Sequence, residues 1–133
     1  MNAEIVYKNR GKTVFSETDG TIPDCIKKGF ETDEILYMDI PYGNDESRMR
    51  IEFGKKCCDI GIWRDKKVYG FKNSDTQYLE AGGLEDLYTG DSQPKYLMCY
   101  NVHDALEIFK NFMETGKPSG NYLWIVEFPG FGL

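Results

Sequence analysis

Hydrophobic and polar positions in this chain follow mostly the two-residue period of strands, giving way late to one long stretch of helical period. Glu4-Ile5-Val6-Tyr7-Lys8 predicts a strand, Asn9-Arg10-Gly11 a turn, and Lys12-Thr13-Val14-Phe15-Ser16 the returning arm of a hairpin. Thr18-Asp19-Gly20 breaks the pattern, and residues 22–28 predict a short helix with Thr21 as cap, Pro23 in its first turn and Gly29 at its end. Residues 34–40 form an apolar strand stopped by Pro41, and residues 42–47 a turn. In residues 48–53, Met49, Ile51 and Phe53 face one way and Arg48, Arg50 and Glu52 the other, the mark of a half-buried antiparallel strand. Residues 57–63 put Cys58, Ile60 and Ile62 on one face, Arg64-Asp65-Lys66 turns the chain, and residues 67–71 return, completing a meander.

The periodicity weakens over residues 73–93, where an acidic, glycine-containing stretch, 80–91, reads as a long surface loop. Residues 95–100 predict a further strand. Asn101 then caps a helix, with Asp104 placed for a reciprocal cap, and Val102, Ala105, Leu106, Phe109, Phe112 and Met113 fall on one face. Gly116 ends this helix and Pro118 prevents its extension. Residues 122–128 are apolar on both faces apart from Glu127, which predicts a strand inside the sheet and covered on both sides. The expected class is α+β: a mostly antiparallel sheet with one long helix near the C-terminus packed on it, a short helix near the N-terminus, and one domain over residues 1–133.

Charge narrows the choice of partners. Sixteen basic against 22 acidic residues leave a net charge of -6, which disfavours phosphate backbones and acidic membranes and favours a basic protein. No run approaches the roughly 20 apolar residues of a membrane span. Met1-Asn2-Ala3-Glu4 opens directly onto a strand-like run, so the expected compartment is the cytosol. In that compartment Cys25, Cys57, Cys58 and Cys99 are expected to be reduced and mostly buried, with adjacent Cys57 and Cys58 pointing to opposite faces.

Candidate chemistry is sparse. His103 is the one histidine, and no Cys/His cluster has zinc spacing. Cys99 precedes His103 by four residues, but no third group is in view to orient the imidazole, and an apolar strand would keep the thiol inert. The acidic pairs Asp33-Glu34, Asp45-Glu46 and Glu85-Asp86 lie on loops and read as solvated surface. Gly82-Gly83 belongs to no phosphate-binding pattern. The expectation is a protein without catalytic centre, cofactor or metal. Trp63, Trp124, Tyr122 and Phe128 are assigned to the core. Leu87 and Tyr88 sit among acids, and two readings stand open: the two form an interface anchor with a charged rim, or Leu84, Leu87 and Tyr88 tuck the loop onto the sheet edge.

Several segments together resemble a known family. A glycine-rich loop containing Tyr88 leads through Pro94 and a strand to a capped helix ending Phe109-Lys110-Asn111-Phe112-Met113-Glu114, then the break Thr115-Gly116-Lys117-Pro118 and a strand carrying Trp124. Upstream, Tyr42-Gly43-Asn44-Asp45-Glu46-Ser47 enters Met49-Arg50-Ile51. Over residues 33–128 this pattern resembles the Imm-one family of bacterial polymorphic-toxin immunity proteins. The chain departs from it in a short first helix and in the tail Phe128-Pro129-Gly130-Phe131-Gly132-Leu133. The resemblance implies a cytosolic inhibitor of a cognate polymorphic or contact-dependent toxin domain, a nucleic-acid deaminase or nuclease. Joined to the charge argument, it makes Glu85, Asp86, Tyr88 and Asp91 the expected contacts, with Asp45 and Glu46 second. Two other readings remain: a small ligand-binding or enzymatic domain using a cleft beside loop 80–91, and a structural subunit that self-associates through an apolar patch.

Overall fold

The computed structural model describes residues 2–16, 21–43 and 46–128. A seven-stranded antiparallel sheet is built from β1 (Asn2–Tyr7), β2 (Gly11–Ser16), β3 (Ile35–Pro41), β4 (Arg48–Gly54), β5 (Cys57–Arg64), β6 (Lys67–Lys72) and, after two short strands, β9 (Leu123–Glu127). Its order is β2-β1-β3-β4-β5-β6-β9. A separate two-stranded hairpin joins β7 (Leu84–Asp86) to β8 (Ser92–Pro94). Helix α1 (Thr21–Glu31) connects β2 to β3, α2 (Thr76–Ala81) precedes the hairpin, a 3-10 turn occupies Lys95–Leu97, and α3 (Val102–Thr115) leads to β9. The fold is α+β, as the pattern predicts.

The inward residues of the strands meet α1 and α3 in one core. Ile5, Met38, Met49, Ile51, Phe53, Ile60 and Ile62 from the sheet pack with Ile26 and Phe30 of α1 and with Ala105, Ile108, Phe109 and Phe112 of α3, all buried. The long helix starts and stops where the sequence places its ends. Asn101 Oδ1 accepts the His103 and Asp104 amides at 2.8 and 3.4 Å, and Gly116 closes the helix at φ 70°, its N–H donating to the Phe112 carbonyl at 2.7 Å. The Asp104 carboxylate accepts the Tyr122 hydroxyl at 3.1 Å, so it serves β9's entry as well as the positive helix end.

Arg64 adds a tie that no local pattern shows. Its guanidinium donates to the Gly116 carbonyl at 3.1 Å and to Ser47 Oγ at 3.2 Å, joining the β5–β6 turn to the end of α3 and to the entry of β4. A cation at a helix C-terminus also meets its negative pole. Arg64→Ala is expected to lower the unfolding free energy by about 1–2 kcal/mol, and Arg64→Lys to recover part of it, since the ammonium keeps the charge but sits on a shorter side chain than the one guanidinium nitrogen that reaches both acceptors. Urea unfolding checks this; an unchanged midpoint for Arg64→Ala would remove the tie's assigned role.

Several expectations need correction, among them the core placement of Trp63 and Phe128. Helix α1 runs for eleven residues, and Gly29 lies inside it rather than ending it, because the helix must pass close over Phe53. Residues 73–93 hold α2 and the β7–β8 hairpin, which short elements and glycines conceal from a periodicity reading. Residues 95–100 form a 3-10 turn followed by a single bridge, Cys58 to Cys99, and no strand. β9 is the last strand in the sheet's order, with Leu123, Val126 and Phe128 exposed, so its two-sided apolar pattern does not mean two-sided cover. Trp63 is likewise exposed, whereas Trp124 packs edge-on against Phe71 and donates its indole N–H to the Ser119 carbonyl at 2.8 Å.

Candidate functional site

The β7–β8 hairpin carries the acidic residues singled out by sequence, and its seating is specific. Leu87 is 4% exposed and packs with Cys57 and Met98 in a small second core. Its backbone bridges Gly54, where an added Cβ would meet the Asp86 carbonyl at 2.6 Å, so this approach requires glycine. The Tyr88 amide donates to the Phe53 carbonyl at 2.9 Å, and the Tyr88 ring, half-buried, lies against the main core. Glu85 accepts the Tyr100 hydroxyl at 2.7 Å, and Tyr100 in turn stacks on Tyr78 with centroids 4.5 Å apart. Burial, then Glu85, pushes the Tyr100 phenol well up, keeping it a donor.

Outward, the hairpin presents Asp86, Asp91 and Leu84, the last 63% exposed. Asp86 accepts the Ser92 hydroxyl at 2.9 Å. Leu87 and Tyr88, the candidate anchors, tuck the loop down instead, whereas Leu84, expected to tuck with them, projects from it. Glu85 and Tyr88 are partly engaged in seating the hairpin, whereas Asp86 and Asp91 face solvent. Asp45 lies outside the described residues. Glu46 is exposed just before β4, while the hairpin sits at the far end of that seven-residue strand. About 20 Å separate them at the rise of an extended strand, so the structure does not bring the first and second contact sets together.

Two concavities accompany the hairpin. A cleft of about 700 Å³ lies between the ends of β6 and β9, the start of α2 and the start of α3, lined among others by Lys72, Asp75, Tyr78, Tyr100, Asp104 and Tyr122. Tyr122 donates to Glu107 at 2.6 Å as well as to Asp104, and burial followed by Glu107 raises its phenol. No residue of the acidic segment 80–91 lines this cleft, so it does not lie where the ligand-binding reading expects one. A second groove, about 360 Å³, lies on the sheet face opposite the helices and is lined by Arg50, Glu52, Asp59, Trp63, Tyr96 and Glu127 among others. Asp59 is pushed up to about 6 by burial and by the charge of Glu52, against the opposing effect of Arg50.

Sequence reasoning missed this groove, although a signal was present. Placing Cys58, Ile60 and Ile62 inward sends Asp59, Gly61 and Trp63 outward together. The Cys99–His103 pairing does not form: Cys99 is buried with its thiol donating to the Asn101 carbonyl at 3.3 Å, and His103 is exposed. All four cysteines are free and buried. Burial raises the thiols of Cys25, Cys57 and Cys58, Cys57 to about 12. Among the described residues no three metal-ligating side chains converge, and no helix is long and apolar enough to cross a membrane. Comparison of the chain with protein-family models, with curated proteins and with solved structures finds no match.

Proposed function

We propose that this chain is an immunity protein that binds a basic, nucleic-acid-acting toxin domain in the cytosol and neutralises it by contact through the β7–β8 hairpin. The observation carrying this reading is the hairpin itself, anchored by the buried Leu87 and presenting Asp86, Asp91 and exposed Leu84 to solvent. An apolar side chain ringed by acids on a preorganised support is the composition of a contact with a basic partner, and preorganisation lowers the cost of binding. The net charge of -6 favours encounter with such a partner. The resemblance to the Imm-one family supports the toxin as partner.

Co-expression with the toxin-like domain encoded beside this chain tests the reading: a complex that restores growth supports it. Asp86→Lys with Asp91→Lys is then expected to weaken the complex about 10- to 100-fold, mainly through slower, salt-sensitive association, with the unfolding midpoint nearly unchanged. Unchanged affinity and salt dependence would remove the hairpin from the interface. Growth arrest without a complex would overturn the pairing and favour a ligand-binding domain, one that uses the 700 Å³ cleft beneath the Tyr78–Tyr100 stack rather than a cleft beside segment 80–91.

A further inference from the structure

On the open face of the sheet, Glu52 of β4 and Asp59 of β5 stand directly opposite each other across the strand pair. Side chains in this relation have Cβ atoms about 5 Å apart, and like charges there oppose folding. Arg50 is the one cation among the residues lining the groove, and it is shared, its charge acting on Asp59 as well as on Glu52. It bonds Glu52 at 3.4 Å and lies over the Tyr37 ring at 4.0 Å. No described residue donates a hydrogen bond to the Asp59 carboxylate. The pair therefore lacks a second cation.

The surrounding groove suits a particular one. Asp59, Gly61 and Trp63 succeed each other on one face of β5, about 6.5 Å per step. The Trp63 indole folds back across Gly61, where an added Cβ would stand 3.3 Å from its ring, and it is 37% exposed. A flat π surface thus begins one step from a carboxylate to which no described residue donates a hydrogen bond. Tyr96 and Leu97 supply further wall, and the charged groups lining the groove are three carboxylates, Glu52, Asp59 and Glu127, against Arg50.

We infer that this groove receives an arginine side chain of a basic protein partner, with the guanidinium on the Asp59 carboxylate and the methylene stem along the Trp63 indole. Arginine fits better than lysine because its planar head stacks on aromatic rings and engages a carboxylate through two parallel donors. β9 borders the groove as the last strand in the sheet's order, so an extended segment beside it would carry alternate side chains over the groove. The inference stands without the hairpin or the toxin, since a short peptide probes it.

The probe is Ac-Ala-Val-Arg-Val-Ala-NH2, titrated into ¹⁵N-labelled protein, with the same peptide carrying citrulline, arginine's neutral isostere, as control. The arginine peptide is expected to shift the Trp63 indole signal and the backbone amides of residues 59–63, saturably, and the citrulline peptide is not. Asp59→Asn should weaken binding about tenfold or more, the loss expected for a charge-assisted hydrogen bond. Trp63→Leu should weaken it about threefold by removing the π surface. Binding should fade between pH 7 and pH 5 as Asp59 takes up its proton; Glu52 and Arg50 from β4 and Glu127 from β9 are the other charged groups facing the groove. Absence of saturable shifts, equal binding of the citrulline peptide, or an Asp59→Asn variant that binds as the parent does would overturn the inference. So would free agmatine binding as tightly as the peptide, which would make this a small-molecule site.

Discussion

Gly29→Ala is expected to lower the unfolding free energy by about 1–2 kcal/mol, although alanine in a helix interior ordinarily stabilises by about 0.5–1 kcal/mol relative to glycine. The reversal comes from packing. An added Cβ on Gly29 would stand 2.3, 2.4 and 2.6 Å from the Cε1, Cζ and Cδ1 atoms of Phe53. Phe53 cannot step aside freely: it is fully buried and meets Phe30 edge-on with centroids 6.1 Å apart. Either the ring leaves its rotamer or α1 lifts off the sheet, and overpacking of this kind costs about 1–3 kcal/mol, which outweighs the helical gain. Urea unfolding should show a lower midpoint with an unchanged slope. Gly29→Ala combined with Phe53→Leu should cost less than the sum of the two single changes, because the smaller side chain vacates the contested space. A Gly29→Ala variant as stable as the parent would mean that α1 yields readily, and the close approach would lose its role.

The second large effect concerns Asp59. Its folded value near 6 exceeds the unfolded value of 3.8, so between these pH values the native state binds more protons than the unfolded chain. The favourable contribution is complete below about pH 4 and is lost as pH rises through about 6. Two pH units correspond to at most about 3 kcal/mol, less whatever solvent at the groove relieves. Asp59→Asn removes the ionisation and should gain stability over the parent at pH 7.5 while differing little at pH 4. Paired urea titrations at the two pH values read this directly. A difference between the proteins that stays constant with pH would show that Asp59 ionises as easily folded as unfolded. The gain, if accompanied by loss of arginine-peptide binding, is the trade expected where a site keeps an unfavourable charge for its ligand.

Periodicity was a sound guide wherever an element was long and had one wet face. The alternation in residues 48–53 and 57–63 is that of β4 and β5, and Asn101, Gly116 and Pro118 bracket α3 because caps and breakers act within a few residues of themselves. The β5–β6 turn was legible as a polar break, but its geometry was not. Asp65 and Lys66 both take positive φ, at 53° and 64°, without the glycine that usually announces such a turn. The strand expected at residues 95–100 failed because its apolar residues serve different partners: Met98 joins Leu87 and Cys57, Cys99 joins the main core, and Tyr100 reaches Glu85.

Of the candidate contacts, the sequence located the acidic segment but could not say which of its residues face outward. Acids, glycines and apolar residues are interspersed through 80–91 without a period, and only the docking of Leu87 at Gly54 turns Asp86 and Asp91 to solvent while engaging Glu85 and Tyr88. Class, meander, main helix and acidic character were decided by the chain itself, since periodicity, capping and charge are local or summed properties. Which sheet face stays open, that Glu52 opposes Asp59 and that Gly29 passes over Phe53 were decided by tertiary structure. Each of these depends on strand register or helix placement between residues distant in sequence, and no local property encodes such a pairing.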